Sequence, residues 1–263
     1  MADYRLGEEQ IASYRSDGYL IIPDYFPPAD MELLLQIARA DQALADNASD
    51  HPDVDGKVSR LSLRAHLPES AYSSYVRHRA IVEPMEQLLD SEVYHYHHKM
   101  MLKEPRVGGA WEWHQDYGYW YVNFLYADLA SCMIAVDRAT RDNGCLQVLK
   151  GSHRLGRIDH GRRGKQTGAD PERVEMLLDH LEVVYCEMAP GTVLFFDCNL
   201  LHRSDPNESD ESRWALICCY NSVTNPTLKK KAGAQYEPLE KWEAATVREA
   251  VRRHGEELQV TAN

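Results

Sequence analysis

The sequence predicts a mainly β fold with helices packed outside it, on three observations. From Val93 onward short apolar runs follow one another: VYHYHHKMMLK, LASCMIAVD, CLQVLKG, LEVVYCEMA, GTVLFFD and WALICCYN. Gly, Pro, Asp and Asn punctuate these runs at the spacing of a β-sandwich or barrel. Before Val93 the apolar residues recur mostly at helical period, and the C-terminal PLEKWEAATVREAVRRHG reads as a closing helix.

The elements follow in order. GEEQIASYRSDG is a short amphipathic helix with Ile11 and Tyr14 on one face, breaking at Gly18 into the strand YLIIPDYF. PADMELLLQIARADQAL is a helix with Pro28 near its start and Met31, Leu34, Leu35 and Ala38 at helical spacing. Residues 46–60, polar and turn-rich, read as a loop. RAIVEPMEQLLD is a helix ending near Asp90, and DPERVEMLLDH is a helical insert among the later strands. The early helices do not easily form a core of their own. The expectation is one domain over 1–263, with N-terminal helices (1–92) packed on a β core (93–225) and a C-terminal helix over 238–257.

Composition narrows the function classes. With 44% hydrophobic and 27% charged residues, the 263-residue chain is an ordinary globule able to bury a sizeable core. A formal charge of −12 argues against non-specific binding to nucleic acid or anionic membrane. The basic clusters HGRRGK (160–165) and LKKK (228–231) read as solvated loop charges. Six cysteines form no C-x-x-C pair and mostly lie in apolar runs, where cysteine packs as a small hydrophobe. The acidic N-terminus lacks an apolar leader, and no apolar run reaches membrane-spanning length. A reduced, cytoplasmic protein is expected; oligomeric state is not readable.

Chemistry concentrates in WEWHQDYGYW (111–120), which sets a carboxylate among aromatic rings. A surface turn would account for it. Alternatively, side chains two apart on a strand share a face, so His114 and Asp116 could grip one cation. His202, at the end of the apolar run GTVLFFDCNLLH, is the best third ligand. Two histidines and a carboxylate on one face leave positions open opposite, the arrangement of non-haem Fe(II) and oxygen chemistry. Arg213, on the strand SRWALICCYN, alternates with Ala215 and Ile217. Turned inward it needs an anion: a bidentate carboxylate, or a structural acid such as Asp197.

KMMLKEPRVGGAWEWHQD, DNGCLQVLKGSHRLG and LHRSDPNESDESRWAL together resemble the phytanoyl-CoA dioxygenase family of Fe(II)/2-oxoglutarate oxygenases, and the likeness spans nearly the whole chain. It implies a double-stranded β-helix, the cupin-like jelly roll. By position it assigns His114, Asp116 and His202 to iron, and Arg213 with Ser204 to the distal carboxylate of 2-oxoglutarate. It implies O2 as cosubstrate, release of succinate and CO2, and hydroxylation rather than halogenation, because Asp116 is present. Two positions depart from the family pattern. Lys99 stands where some relatives have a cosubstrate-contacting methionine; it reads as a contact to 2-oxoglutarate, to a substrate anion, or as a rim lysine. Met133 stands where some relatives have tryptophan. Trp120, Tyr117, Met101 and Arg64 are candidate substrate contacts, with plain core packing equally open for Trp120. With Arg60, His95 to Lys99 and the aromatics, they suit a small anionic or zwitterionic molecule. The competing readings are a non-catalytic jelly-roll binding protein and a cupin-like metalloenzyme that does not use 2-oxoglutarate.

Overall fold

A computed structural model describes residues 4–228 and 239–260. Helix α1 (Glu8–Asp17) stops where predicted, at Gly18, whose φ of +84° places it in the left-handed region that glycine enters freely. Strand β1 (Tyr19–Ile22) follows. The helix expected over 28–44 is two, α2 (Pro28–Ala40) and α3 (Gln42–Asn47). Asp41 breaks it, because its carboxylate caps the new helix by accepting the Leu44 N–H at 3.0 Å. The loop expected over 46–60 is instead largely a hairpin, β2 (Ala48–Pro52) with β3 (Val58–Arg64). Strand β2 lies at a sheet edge, half exposed, so it carries polar residues that lack strand periodicity.

The chain continues through α4 (Ala71–Val76), α5 (Arg79–Leu89), β4 (Val93–Lys103), β5 (Trp111–His114), α6 (Asp116–Trp120), β6 (Leu129–Ala135) and β7 (Leu146–Leu149). A hairpin β8 (His160–Arg163) and β9 (Gln166–Ala169) occupies most of the cluster expected to be a solvated loop. Then come α7 (Pro171–Leu178), β10 (Val183–Cys186), β11 (Val193–Asp197), β12 (His202–Ser204), β13 (Arg213–Ser222) and α8 (Ala244–Glu257). The closing helix therefore starts at Ala244; residues 229–238, including the lysines of LKKK, lie outside the described residues.

Two sheets form the jelly roll: β1-β11-β6-β13-β4-β3-β2 and β10-β7-β12-β5. All neighbouring pairs in them are antiparallel. The larger sheet recruits β1, β2 and β3, so it does not begin at Val93. One core lies between the sheets, where Met133, Ala135, Leu194, Phe196, Ala215 and Ile217 meet Leu146, Val148 and Cys186. The alternate residues Ile134, Phe195, Leu216, Cys218 and Tyr220 face the other way, into a second core with α2, α4, α5 and α8. The larger sheet is covered on both faces, which explains why its central strands read as continuous apolar runs. All six cysteines are buried and free, as expected of small hydrophobes.

Candidate metal centre and active site

His114 ends β5 and His202 opens β12. These strands pair antiparallel with the two histidines in register, so their rings lie 4.1 Å apart between centroids. The H-x-D spacing predicted both residues on one strand, but β5 ends at His114 and Asp116 lies beyond it. Gln115 remains extended (φ −112°, ψ 138°), and Asp116 begins α6. The same-face relation still holds because one extended residue separates the two candidate ligands. One potential ligand atom from each of His114, Asp116 and His202 lies within 4.8 Å of the others, and all three residues are buried.

The residues fit a divalent cation. His114 Nδ1 is 2.7 Å from Glu112 O, and His202 Nδ1 is 2.9 Å from Leu200 O. A carbonyl only accepts, so each Nδ1 carries the proton and each Nε2 keeps its lone pair for a metal. Burial holds the pKa of both rings below the ordinary histidine value, keeping them neutral. Asp116 Oδ2 accepts from Ser131 Oγ at 3.1 Å, which orients the carboxylate.

These groups open into a cavity of about 250 Å³ walled by Leu61, Met101, Trp111, Tyr119, Met133 and Ile217. Arg213 and Ser204 also line it. Arg213 is buried, and its Nε has no hydrogen-bond partner among the described residues. Burial pushes its pKa down to about 10, leaving the guanidinium charged at neutral pH. Asp197, the acid weighed as its structural partner, instead accepts the Asn199 N–H at 2.7 Å. A buried guanidinium with an unused donor calls for an anion.

Residues 14–215 match the family described as Phytanoyl-CoA dioxygenase (PhyH). The chain belongs to the phytanoyl-CoA dioxygenase family. As a member it is an iron(II)- and 2-oxoglutarate-dependent oxygenase. Ectoine dioxygenase of Bordetella bronchiseptica is 26% identical over 249 residues, covering 89% of this chain and 81% of the relative. L-proline trans-4-hydroxylase of Streptomyces griseoviridis is 29% identical over 235 residues, with 81% and 85% covered. The crystal structure of EctD from S. alaskensis with 2-oxoglutarate and 5-hydroxyectoine shares the fold. Its TM-score is 0.76 at 24% identity, covering 91% of this chain and 88% of that one.

Within this PhyH-family site the other expected residues separate. Met101 and Lys99 line the cavity; Trp120, Tyr117 and Arg64 are not part of its lining. Trp120 is buried edge-on against Tyr96 and His97, because α6 turns it away from the metal side. Tyr117 donates its hydroxyl toward Phe124 O and Leu125 O. Arg64 is held by Asn47 Oδ1 and Ala43 O, and Arg60 pairs with Asp50 and donates to Ala45 O. His95 and His98 hydrogen-bond each other at 3.1 Å.

Sequence reasoning missed two residues. Lys103 is fully buried, with Nζ 2.8 Å from Ser204 Oγ and 2.5 Å from Asp205 O. An Nζ–H donates to a lone pair of Ser204 and leaves the serine O–H free to donate into the cavity. Burial, then the nearby Arg213, pushes its pKa well below the usual lysine range. The signal was present, since Lys99, Met101 and Lys103 alternate on one strand face. His160, from the supposed loop cluster, accepts the Gln115 N–H at Nε2 (2.9 Å) while its Nδ1–H donates to Ile158 O (2.8 Å). Gln115 is itself fully buried, donating to Gly156 O and Asn199 O and accepting from Ile158 N–H. No local pattern announced that clamp.

Proposed function

We propose that this chain, acting as a single catalytic domain, hydroxylates a small molecule with iron(II) and 2-oxoglutarate and releases succinate and CO2. The observation that carries this reading is the coincidence in one cavity of the His114–Asp116–His202 cluster with a buried, under-partnered Arg213. Nε2 of each histidine and a carboxylate oxygen of Asp116 would hold the metal on one side and leave the opposite side open. Arg213 and the Ser204 hydroxyl, oriented by Lys103, would take the distal carboxylate of the cosubstrate. Bound iron supplies oxygen activation coupled to decarboxylation of 2-oxoglutarate. The protein supplies geometry and dryness: Met133, Ile217 and Leu61 exclude water, and Arg213 fixes where the cosubstrate lies. The cavity volume and the relatives named for ectoine and L-proline support a small substrate.

The test follows succinate from 2-oxoglutarate under oxygen. Formation should require Fe(II) and fall to background in His114→Ala and Arg213→Ala. Full turnover by Asp116→Ala or His202→Ala would defeat the reading. Anaerobic calorimetry with Mn(II) and then 2-oxoglutarate separates the alternatives. A binding protein that only kept the fold takes up no 2-oxoglutarate, whereas a metalloenzyme of another type binds the metal but not the cosubstrate.

A further inference from the structure

Lys99 is a cation in the cavity wall whose charge the catalytic groups do not use. Its side chain is 17% accessible, and the nearest acid, Asp116 Oδ1, lies 3.8 Å away, beyond hydrogen-bond reach. Among the described residues its Nζ has no hydrogen-bond acceptor, although an ammonium carries three donors and loses solvation on burial. Asp116 gives partial compensation only while its carboxylate is free. Once that carboxylate holds a divalent ion, Lys99 faces a net positive centre and requires another anion.

The distal carboxylate of the cosubstrate does not fill this role. Arg213 pairs in register with Lys103, four residues along β4 from Lys99, on the order of 13 Å at the rise of a strand. Charge balance points to a second molecule. A divalent metal and a dianionic cosubstrate cancel; Arg203 is matched by Asp205 at 3.6 Å. Among the remaining lining groups Arg213 is set to the distal carboxylate of the cosubstrate, and Asp116 is the one acid, so Lys99 is left without an anion of its own once Asp116 holds the metal. The rest of the wall is largely apolar, and the volume is about 250 Å³ before the cosubstrate enters.

We infer that Lys99 is a specificity-determining residue that binds a carboxylate of the substrate, so that the substrate is a small organic acid with an apolar body. This inference rests on the hydroxylase reading above and adds the substrate class to it.

The experiment compares the wild-type enzyme, Lys99→Met and Lys99→Arg, loaded with Fe(II). Stimulation of succinate release is measured with a panel of small carboxylic acids, L-proline among them, and with the amide of each. Anaerobic calorimetry with Mn(II) measures 2-oxoglutarate affinity in the same proteins. At least one acid, and not its amide, should stimulate the wild type. In Lys99→Met the concentration of that acid needed should rise about 10- to 100-fold, the scale of a hydrogen bond to a charged group. Lys99→Arg should recover part of the response, and 2-oxoglutarate affinity should stay within about threefold in both variants. Equal stimulation by amides, no stimulation by any acid, or an unchanged acid response in Lys99→Met would overturn the inference. Weakened 2-oxoglutarate binding in Lys99→Met would also overturn it, by assigning Lys99 to the cosubstrate's metal-side carboxylate. A wild type that does not consume 2-oxoglutarate at all defeats the hydroxylase reading instead.

Discussion

The imidazole of His160 occupies the space that a Cβ on Gly118 would need, closer than any real side-chain contact. Glycine at 118 therefore lets the β8–β9 hairpin sit directly on the first turn of α6. From there the ring takes the N–H of Gln115, the peptide between His114 and Asp116. The middle residue of the H-x-D motif is thus held by a segment 45 residues further along the chain.

Gly118→Ala should push the ring off Gln115, and His160→Phe should remove the acceptor while keeping bulk. Either change should weaken Mn(II) or Co(II) binding by about 10- to 100-fold, the usual scale for groups that orient metal ligands. His160→Gln, which restores an acceptor at a similar reach, should recover most of it. Calorimetry beside a thermal melt checks this; wild-type metal affinity in both Gly118→Ala and His160→Phe would remove the clamp from the account.

Lys103→Met tests the basic end of the cavity. The lysine is buried beside Arg213, an arrangement that costs stability at neutral pH while it holds Ser204. Methionine should leave the melting temperature equal or higher, since apolar replacement of buried charges is often neutral or stabilising. It should lower 2-oxoglutarate affinity about tenfold, because the Ser204 hydroxyl is no longer oriented.

Asp197 gives a pH signature. Burial raises its pKa to about 6 from an ordinary value near 4, so the folded state holds its proton more tightly than the unfolded chain. Its contribution to stability is present below pH 4 and is lost as pH rises through about 6. Asp197→Asn retains an acceptor for the Asn199 N–H and cannot ionise. The variant's melting temperature should exceed that of the wild type at pH 8, with the difference shrinking toward pH 5. An equal difference at both pH values would remove Asp197 as its source.

Trp120 separates packing from function. Wedged against Tyr96 and His97 and outside the cavity lining, it should behave as a core residue. Trp120→Leu should cost about 3 kcal/mol by denaturant unfolding. The affinity for 2-oxoglutarate should stay within about twofold; a large loss would give Trp120 a role at the active site beyond packing.

Strands β4, β6, β11 and β13 were legible because their apolar runs and turn punctuation are local. Strand β2 was not, since its polar residues satisfy an edge rather than a core. Strand β12, of three residues, carries too little pattern to be read, yet it places both His202 and Ser204. The identities of His114, Asp116, His202 and Arg213 could be picked out as a candidate set. Lys103 shared a strand face with Lys99 and Met101, yet neither it nor His160 could be ranked against ordinary surface cations, because burial is not a property of a residue's neighbours in sequence.

By itself the sequence determined which side chains exist to bind a metal and an anion, and where the backbone alternates or turns. Tertiary structure decided which face of each strand meets the cavity. When both faces of a sheet are buried, the apolar pattern marks neither as inward. It also decided that His202 stands opposite His114, since register is set by pairing between strands nearly ninety residues apart and not by spacing along either one.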